Sequence, residues 1–307
     1  MKILVTGGAG FIGSHLTKRL LMEGHSVCVV DNLSTGKLEN VPSAAHFYHL
    51  DIRDKKLSSV LIKETPQIIY HLAAQTSVLL SVADPAEDAD VNIVGSLNLF
   101  HIATENKVSK IIYSSTAAVY GVPESLPITE DQLVNPISGY GLSKLTAEKY
   151  LQYYHSAYGI NYTILRYANV YGLGQDGSGE GGVVAKFMRQ ALNHEQPQIF
   201  GDGKQTRDFV YIEDVVEANI RSMNQANQQT LHISTSIATS ITDLWENIQA
   251  ITGSDLIPDY LPSRAGDICD SVLDNSRAQH LLGWSPVYDI KQGLRAYYNQ
   301  IMGRQGE

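Results

Sequence analysis

Residues 3–13 read Ile3-Leu4-Val5-Thr6-Gly7-Gly8-Ala9-Gly10-Phe11-Ile12-Gly13: a short apolar run, a glycine-rich turn, and the start of a segment whose apolar positions Ile12, Leu16 and Leu20 recur at helical spacing. Glycine suits each part of such a turn. A side chain would block the tight bend, the approach of backbone to a pyrophosphate, and the packing of helix on strand. The unpaired N–H groups at the helix start then face the anion. Glycines alone make only a turn, so a second feature is needed. Asp31 supplies it, ending the apolar run Val27-Cys28-Val29-Val30 18 residues after Gly13. That is close to the ~20-residue spacing at which a carboxylate meets the adenosine ribose hydroxyls. An acid there repels a 2′-phosphate, which favours NAD over NADP. The plainer account of Asp31 is a loop or helix-cap carboxylate.

Working outward, short β-branched runs recur between helical stretches: Phe47-Tyr48-His49-Leu50, Ile68-Ile69-Tyr70, Ile111-Ile112-Tyr113 and Tyr162-Thr163-Ile164-Leu165. Runs this short and this apolar predict strands covered on both faces in a parallel sheet, an α/β doubly wound (Rossmann-type) architecture. After about Asn169 the pattern changes to a Gly-rich stretch, shorter elements and prolines at 197, 258, 262 and 286. The expected division is therefore an NAD-binding domain over 1–168, with a return strand near 230–234, interleaved with a substrate-binding region over 169–307.

With 307 residues, 43% of them hydrophobic, the chain can bury a sizeable core. A net charge of −9 argues against nucleic acid or an anionic membrane as the main partner, so an anionic ligand would need local cations. No apolar run approaches the ~20 residues of a membrane helix. The N-terminus reaches its glycine turn without the apolar region of a signal peptide. Two cysteines, Cys28 and Cys269, make no disulfide framework or metal cluster. A reducing, cytoplasmic setting is expected.

Tyr140 and Lys144 lie four residues apart in a segment, 139–158, that reads as a helix ending at Gly159, so both side chains share a face. A phenol with a pKa near 10 needs a shift of roughly three units, about 4 kcal/mol, to act as a base at neutral pH. A neighbouring ammonium and a positive nicotinamide in a water-poor cleft can supply it. Among 17 tyrosines such a pair arises readily by chance. What lifts it is Tyr113-Ser114-Ser115-Thr116-Ala117-Ala118-Val119-Tyr120-Gly121 at the end of the fifth predicted strand, where doubly wound sheets place their ligands. Thr116 there can meet a substrate hydroxyl beside Tyr140. Without Tyr140 and Lys144, it would be read as a strand terminator.

The glycine spacing, together with Thr116, Tyr140 and Lys144, resembles the extended short-chain dehydrogenases, and within them the NAD-dependent epimerase/dehydratase family and its sugar-nucleotide epimerases. The resemblance covers essentially the whole chain, most strongly 1–36, 113–172 and 199–215, and most thinly after Asp274. It implies an NAD site made by Gly7, Gly10, Phe11, Ile12 and Gly13 at the turn and Asp31 with Asn32 after the second strand. Asp51 and Ile52 would flank the adenine, Leu72, Ala73 and Ala74 would line the cleft, and Asn92 would support the central helix. Ser114, Tyr140, Lys144 and Tyr167 complete the cofactor set. Taken singly, these are a strand-end acid, packed strands and a polar helix residue.

The implied chemistry is reversible oxidation at a sugar carbon. Tyrosinate 140 takes the 4-hydroxyl proton as hydride passes from C4 to NAD, and the 4-ketone turns over and takes the hydride back on its other face. Lys144 would keep Tyr140 ionised and hold the nicotinamide ribose, and Thr116 would steady the reacting oxygen. Dehydrating or decarboxylating relatives carry an Asp-Glu pair or a Glu just after the active Ser/Thr, where this chain has Ala117 and Ala118. Relatives that invert C3 and C5 resemble a Cys-plus-His pattern, and no cysteine lies near Thr116. C4 inversion of a UDP-hexose, UDP-glucose/UDP-galactose first, is the expectation.

On the substrate side the resemblance places Asn169 on the phosphates, Arg207 of Gly201–Val210 under the diphosphate, Arg264 on phosphate and Asp267 on the nucleotide ribose. Either arginine alone is more ordinarily a surface ion pair. Ser271 falls where some members carry a tyrosine that crowds the sugar 2-substituent, which suggests room for N-acetylhexosamines. The loop 177–182 departs from the family pattern. His71, among apolar strand residues, reads as a packed core residue. A homodimer through helices near 90–104 and 141–158 is also implied. The rivals are another nucleotide-sugar oxidoreductase or dehydratase of this family that releases its product, and a non-catalytic dinucleotide sensor.

Overall fold

The computed structural model describes residues 1–175, 182–263 and 268–305. Its centre is a parallel sheet made, in chain order, by β1 (Lys2–Thr6), β2 (Ser26–Asp31), β3 (His46–His49), β4 (Ile68–His71), β5 (Lys110–Thr116) and β6 (Asn161–Tyr167), joined by a seventh strand, Gln229–Ile233. The spatial order is β3-β2-β1-β4-β5-β6 and then Gln229–Ile233, so the strand order reverses at β1. The cleft between β1 and β4 at their carboxyl ends is where such sheets bind ligands.

Two-residue periodicity explains why the strands are apolar throughout. Ile3 and Val5 of β1, Val29 of β2, Tyr70 of β4, Ile112 of β5 and Leu165 of β6 enter one core; Leu4, Val30, Ile69, Ile111 and Ile164 enter another on the opposite face. The second core is closed by α2 (Leu57–Glu64), α5 (Gly95–Glu105) and α6 (Gly139–Tyr158). The first is covered by α1 (Phe11–Met22) and the helix Ile212–Ser222, and it runs on without a break through Phe187, Trp245 and Trp284 of the later region. That continuity packs the later region onto the same core as one face of the sheet. Each such fully buried Leu or Ile contributes about 1.5–3 kcal/mol.

Between β4 and α5 the chain makes two short helices, α3 (Val78–Ala83) and α4 (Pro85–Ala89), and then a π-helical turn, Asp90–Val94. Asp84 caps α4, accepting from Glu87 N–H, with Pro85 at its first position. Helix α6 begins at Ser138, whose side chain accepts from Gly141 N–H, and stops at Gly159 in the left-handed conformation. Among the described residues no helix is long and apolar enough to cross a membrane.

Candidate active site

The glycine turn is packed to its limit. Gly7 has φ +71°, and a Cβ there would lie 2.6 Å from Ala73 N; a Cβ on Gly13 would lie 2.1 Å from Gly7 O. Leu72 N and Ala73 N bond to Thr6 O and Oγ1, so the segment Leu72, Ala73 and Ala74 is drawn directly over the turn. Gly10 caps α1 with no side chain, and Phe11, Ile12 and Gly13 form its first turn, so the helix end carries only backbone N–H toward an anion. The cradle therefore fits a dinucleotide pyrophosphate.

Asp31 is 7% exposed, its carboxylate accepting from Ala9 N at 2.9 Å and Leu33 N at 2.8 Å. This acid braces the turn, and it is the residue assigned to the ribose by the resemblance. Asp31→Ala is expected to lower NAD affinity about 10- to 100-fold and to narrow the preference over NADP. Calorimetric titration of both cofactors checks this; unchanged affinities would remove Asp31 from the site.

Asn32 Nδ2 donates to Asp51 Oδ2 at 2.8 Å, and Asp51 is clamped by Arg53 through its Nη2, its Nε and its backbone N–H, each at 2.9 Å. These Arg53 bonds hold the Asp51 carboxyl down at about 2. Arg53 also reaches Glu87 and Asp90, tying Asp51 to α4 and the π turn. Ile52 is buried against Gly95. On that turn Asn92 accepts from Gln75 N and donates to Gln75 O, Asp88 Oδ1 and Ser143 Oγ at 2.9–3.2 Å. Asn92 thus pins the loop after β4 to α6, and a π turn at such a place is a recurrent functional device.

Tyr140 and Lys144 lie on α6, and Thr116 at the end of β5 is close enough to the Tyr140 phenol to lower its pKa, while its Oγ1 accepts from Ala118 N at 3.1 Å. Lys144 is 2% exposed, its Nζ 4.3 Å from the centre of the Tyr113 ring. Burial pushes Tyr140 up to about 12, opposed by Thr116, and it pulls Lys144 down to about 7 against the pull of Glu148 and Asp88. The sequence predicts an ammonium that lowers the phenol. In the chain by itself burial is the larger influence, raising the phenol and lowering the ammonium.

Ser114 of β5 and Tyr167 at the end of β6, both assigned to the cofactor by the resemblance, bond each other through their hydroxyls at 3.0 Å, and Tyr167 OH also meets Asn219. The pair thus ties β5, β6 and Asn219 together. His71 is fully buried between Thr6 Oγ1 and Ser96 Oγ, and burial holds it at about 3, neutral as a core residue.

Tyr140 opens into a cavity of about 270 Å³ with Thr76, Asn169, Gln175, Val183 and Phe209 in its wall. Asn169 is thereby brought to the phenol. Nothing in the spacing of Thr76 and Phe209 marks them in the sequence. Arg207 Nη1 donates to Thr206 O at 2.8 Å and Cys269 O at 3.1 Å, and its strand pairs in register with Ser271. Arg264 and Asp267, like most of the 177–182 loop, lie outside the described residues.

A glycine turn under a doubly wound sheet, with a phenol, a threonine and a buried lysine at its mouth, defines the class as an extended short-chain dehydrogenase. The comparisons agree. The chain belongs to the NAD dependent epimerase/dehydratase family, whose model it matches over residues 3–234. It is 42% identical over 301 residues to a UDP-glucose 4-epimerase of Mycolicibacterium smegmatis, covering 96% of each chain. Its structure is similar to that of a UDP-glucose 4-epimerase from Thermotoga maritima with UDP-glucose, with TM-score 0.98 and 43% identity over 99% of this chain and 100% of that one. It is also similar to a UDP-N-acetylglucosamine 4-epimerase from Methanobrevibacter ruminantium in complex with UDP-N-acetylmuramic acid, with TM-score 0.94 and 36% identity over 99% and 98%.

Proposed function

We propose that the protein is an NAD-dependent nucleotide-sugar 4-epimerase acting on UDP-glucose and UDP-galactose. The observation that carries this reading is the Tyr140 phenol at the wall of a cavity shared with Asn169, with Thr116 near enough to lower its pKa and followed in the chain by two alanines rather than acids. NAD bound in the cleft supplies a reversible hydride acceptor for sugar C4. Tyr140 Oη takes the proton of O4 and returns it, and Thr116 fixes that oxygen. Lys144, which gains its proton near neutrality, favours the tyrosinate when charged. With no acid at 117 or 118 to take a C5 proton, the ketone has only the return path. Asn169 and Arg207 hold the diphosphate, and Arg264 and Asp267 are assigned to phosphate and ribose. Anchoring by the diphosphate leaves the hexosyl ring free to present either face.

The test is proton NMR of UDP-galactose with the protein and catalytic NAD. UDP-glucose is expected to appear without net NADH; no conversion with cofactor bound would reject this sugar pair.

A wider substrate range follows from Ser271, a small residue at the strand beside Arg207. The wild type is expected to turn over UDP-N-acetylglucosamine. Ser271→Tyr is expected to lose that activity about tenfold or more while keeping UDP-glucose, since a clash removes binding that the smaller sugar never needed. Equal losses on both sugars would sink this assignment.

The chain is read as an NAD-binding domain over residues 1–168 with its return strand, and a substrate-binding region over residues 169–307. A homodimer is supported by exposed Val94, Leu142, Tyr150 and Tyr153 on the outer face of α6 and the neighbouring π turn. A cytoplasmic setting is supported by the free thiols of Cys28 and Cys269.

A further inference from the structure

We propose that Asp208 is a positioning residue for the substrate, locking Arg207, Asn169 and the Asp270–Ser271 strand into the one arrangement that receives the nucleotide diphosphate. The inference rests on the diphosphate roles given above to Arg207 and Asn169.

Asp208 is 1% exposed and lies between Arg207 and the cavity residue Phe209. Its carboxylate gathers donors from two other stretches of the chain. Oδ1 accepts from Thr235 N at 2.8 Å and Thr235 Oγ1 at 2.7 Å, and Oδ2 accepts from Ser236 N at 3.0 Å and Leu273 N at 3.4 Å. Its own carbonyl accepts from Asn169 N at 2.9 Å. Asn169 is thereby placed in register with Phe209, the two strands pairing in parallel as Asn169↔Phe209, Val170↔Val210 and Tyr171↔Tyr211. On the other side Thr206 and Arg207 pair with Asp270 and Ser271, two residues before Leu273.

One residue therefore joins the site-bearing segments: its backbone carbonyl holds Asn169 after β6, it continues the Arg207 strand, and its carboxylate ties the 235–236 loop to Leu273, two residues beyond Ser271. Around it Ser234 and Ser236 hydroxyls donate to Leu273 O, and Asn275 Nδ2 donates to Ser234 O, so the loops it holds are also held to each other. Taking a carboxylate out of water is costly unless every lone pair is met, and the directions of the donors then fix where the segments lie. An apolar side chain would fill the same space without setting any of these angles. The consequence is specific: loss of the carboxylate disturbs the placement of Arg207 and Asn169, whereas Tyr140, Lys144 and the glycine turn stand on other elements.

The experiment uses NAD-loaded Asp208→Asn, in which an amide N–H faces a backbone N–H donor, alongside Thr235→Val, which removes one hydrogen bond, and Arg207→Ala. KM and kcat are measured with UDP-galactose, UDP binding by calorimetry, and bound NAD by release and absorbance. For Asp208→Asn, KM and the Kd for UDP are expected to rise about tenfold or more, with kcat within about twofold and NAD content unchanged. Thr235→Val is expected to raise both by about threefold. If Arg207→Ala weakens UDP and Asp208→Asn does not, or if Asp208→Asn lowers kcat without raising KM, the positioning role is overturned and the diphosphate reading stands. If Arg207→Ala leaves UDP affinity intact, that reading fails and takes this proposal with it. If Asp208→Asn does not fold, Thr235→Val decides, and an unchanged Kd for UDP overturns the proposal.

Discussion

Tyr140→Phe is expected to lower kcat for UDP-galactose about 10³- to 10⁴-fold while NAD content and the Kd for UDP stay within about twofold of wild type. The substitution removes one oxygen and no packing. That oxygen lies near Thr116, and in the proposed reaction it is the group of α6 that exchanges a proton with a sugar hydroxyl in the cavity Tyr140 lines. The size of the effect follows from the protonation state. Burial holds the phenol at about 12, so on the proposed mechanism the work of ionising it would fall on charges beside it, Lys144 and the bound cofactor. A phenylalanine leaves both charges in place with no proton acceptor between them. Lys144→Met should therefore be nearly as damaging, and the pair should be strongly non-additive, because the two residues act on one proton. Single-turnover measurements separate chemistry from product release. A Tyr140→Phe protein with kcat within tenfold of wild type would falsify the assignment of the base.

How much of this was legible in the sequence depends on distance along the chain. The sheet was, because each strand carries its own signature: Ile3-Leu4-Val5 is apolar on both faces, and the structure sends Ile3 and Val5 to one core and Leu4 to the other. The glycine turn and Asp31 were legible because their spacing is set by one strand–turn–helix–strand unit. The segment 78–105 was only partly so. A helix is expected near Asn92, but the break at Asp84-Pro85 and the π turn that aims Asn92 at Ser143 depend on packing against α6. The titration of Tyr140 was not legible, because spacing shows a neighbouring lysine and cannot show the desolvation that outweighs it. Asp208 stands inside the stretch quoted for Arg207 with no signal of its own, since its partners, Thr235, Ser236 and Leu273, are brought to it only by the fold.

Glu148 is hidden in the same way, and it yields the largest expected loss of stability. It lies one helical turn beyond Lys144 on the buried face of α6, fully inaccessible, and its carboxylate forms a two-point pair with Arg166 of β6, Oε2 to Nη2 at 2.6 Å and Oε1 to Nε at 3.0 Å. Ser115, next to Thr116, donates to the same carboxylate. Arg166 continues the chain of contacts to Tyr120 OH at 2.6 Å, and Tyr120 meets His232 on the return strand. Glu148→Ala leaves the Arg166 guanidinium buried without its counter-charge, a loss of about 3–5 kcal/mol, seen as a drop in Tm on the order of 10 °C. The double variant Glu148→Leu with Arg166→Met removes both charges and refills the space, so it should recover most of that loss, as buried pairs commonly do when replaced by packed apolar side chains. The two outcomes carry different meanings for the active site. If the double variant regains both stability and kcat, the pair serves only to join α6 to β6. If it regains stability but not kcat, the charge of Glu148 also acts on Lys144, whose proton it helps retain against desolvation, and the loss should shrink as pH falls and Lys144 is protonated directly. A Glu148→Ala protein within about 1 kcal/mol of wild type would mean that water or a shifted partner reaches Arg166, and the buried pair would lose its structural role.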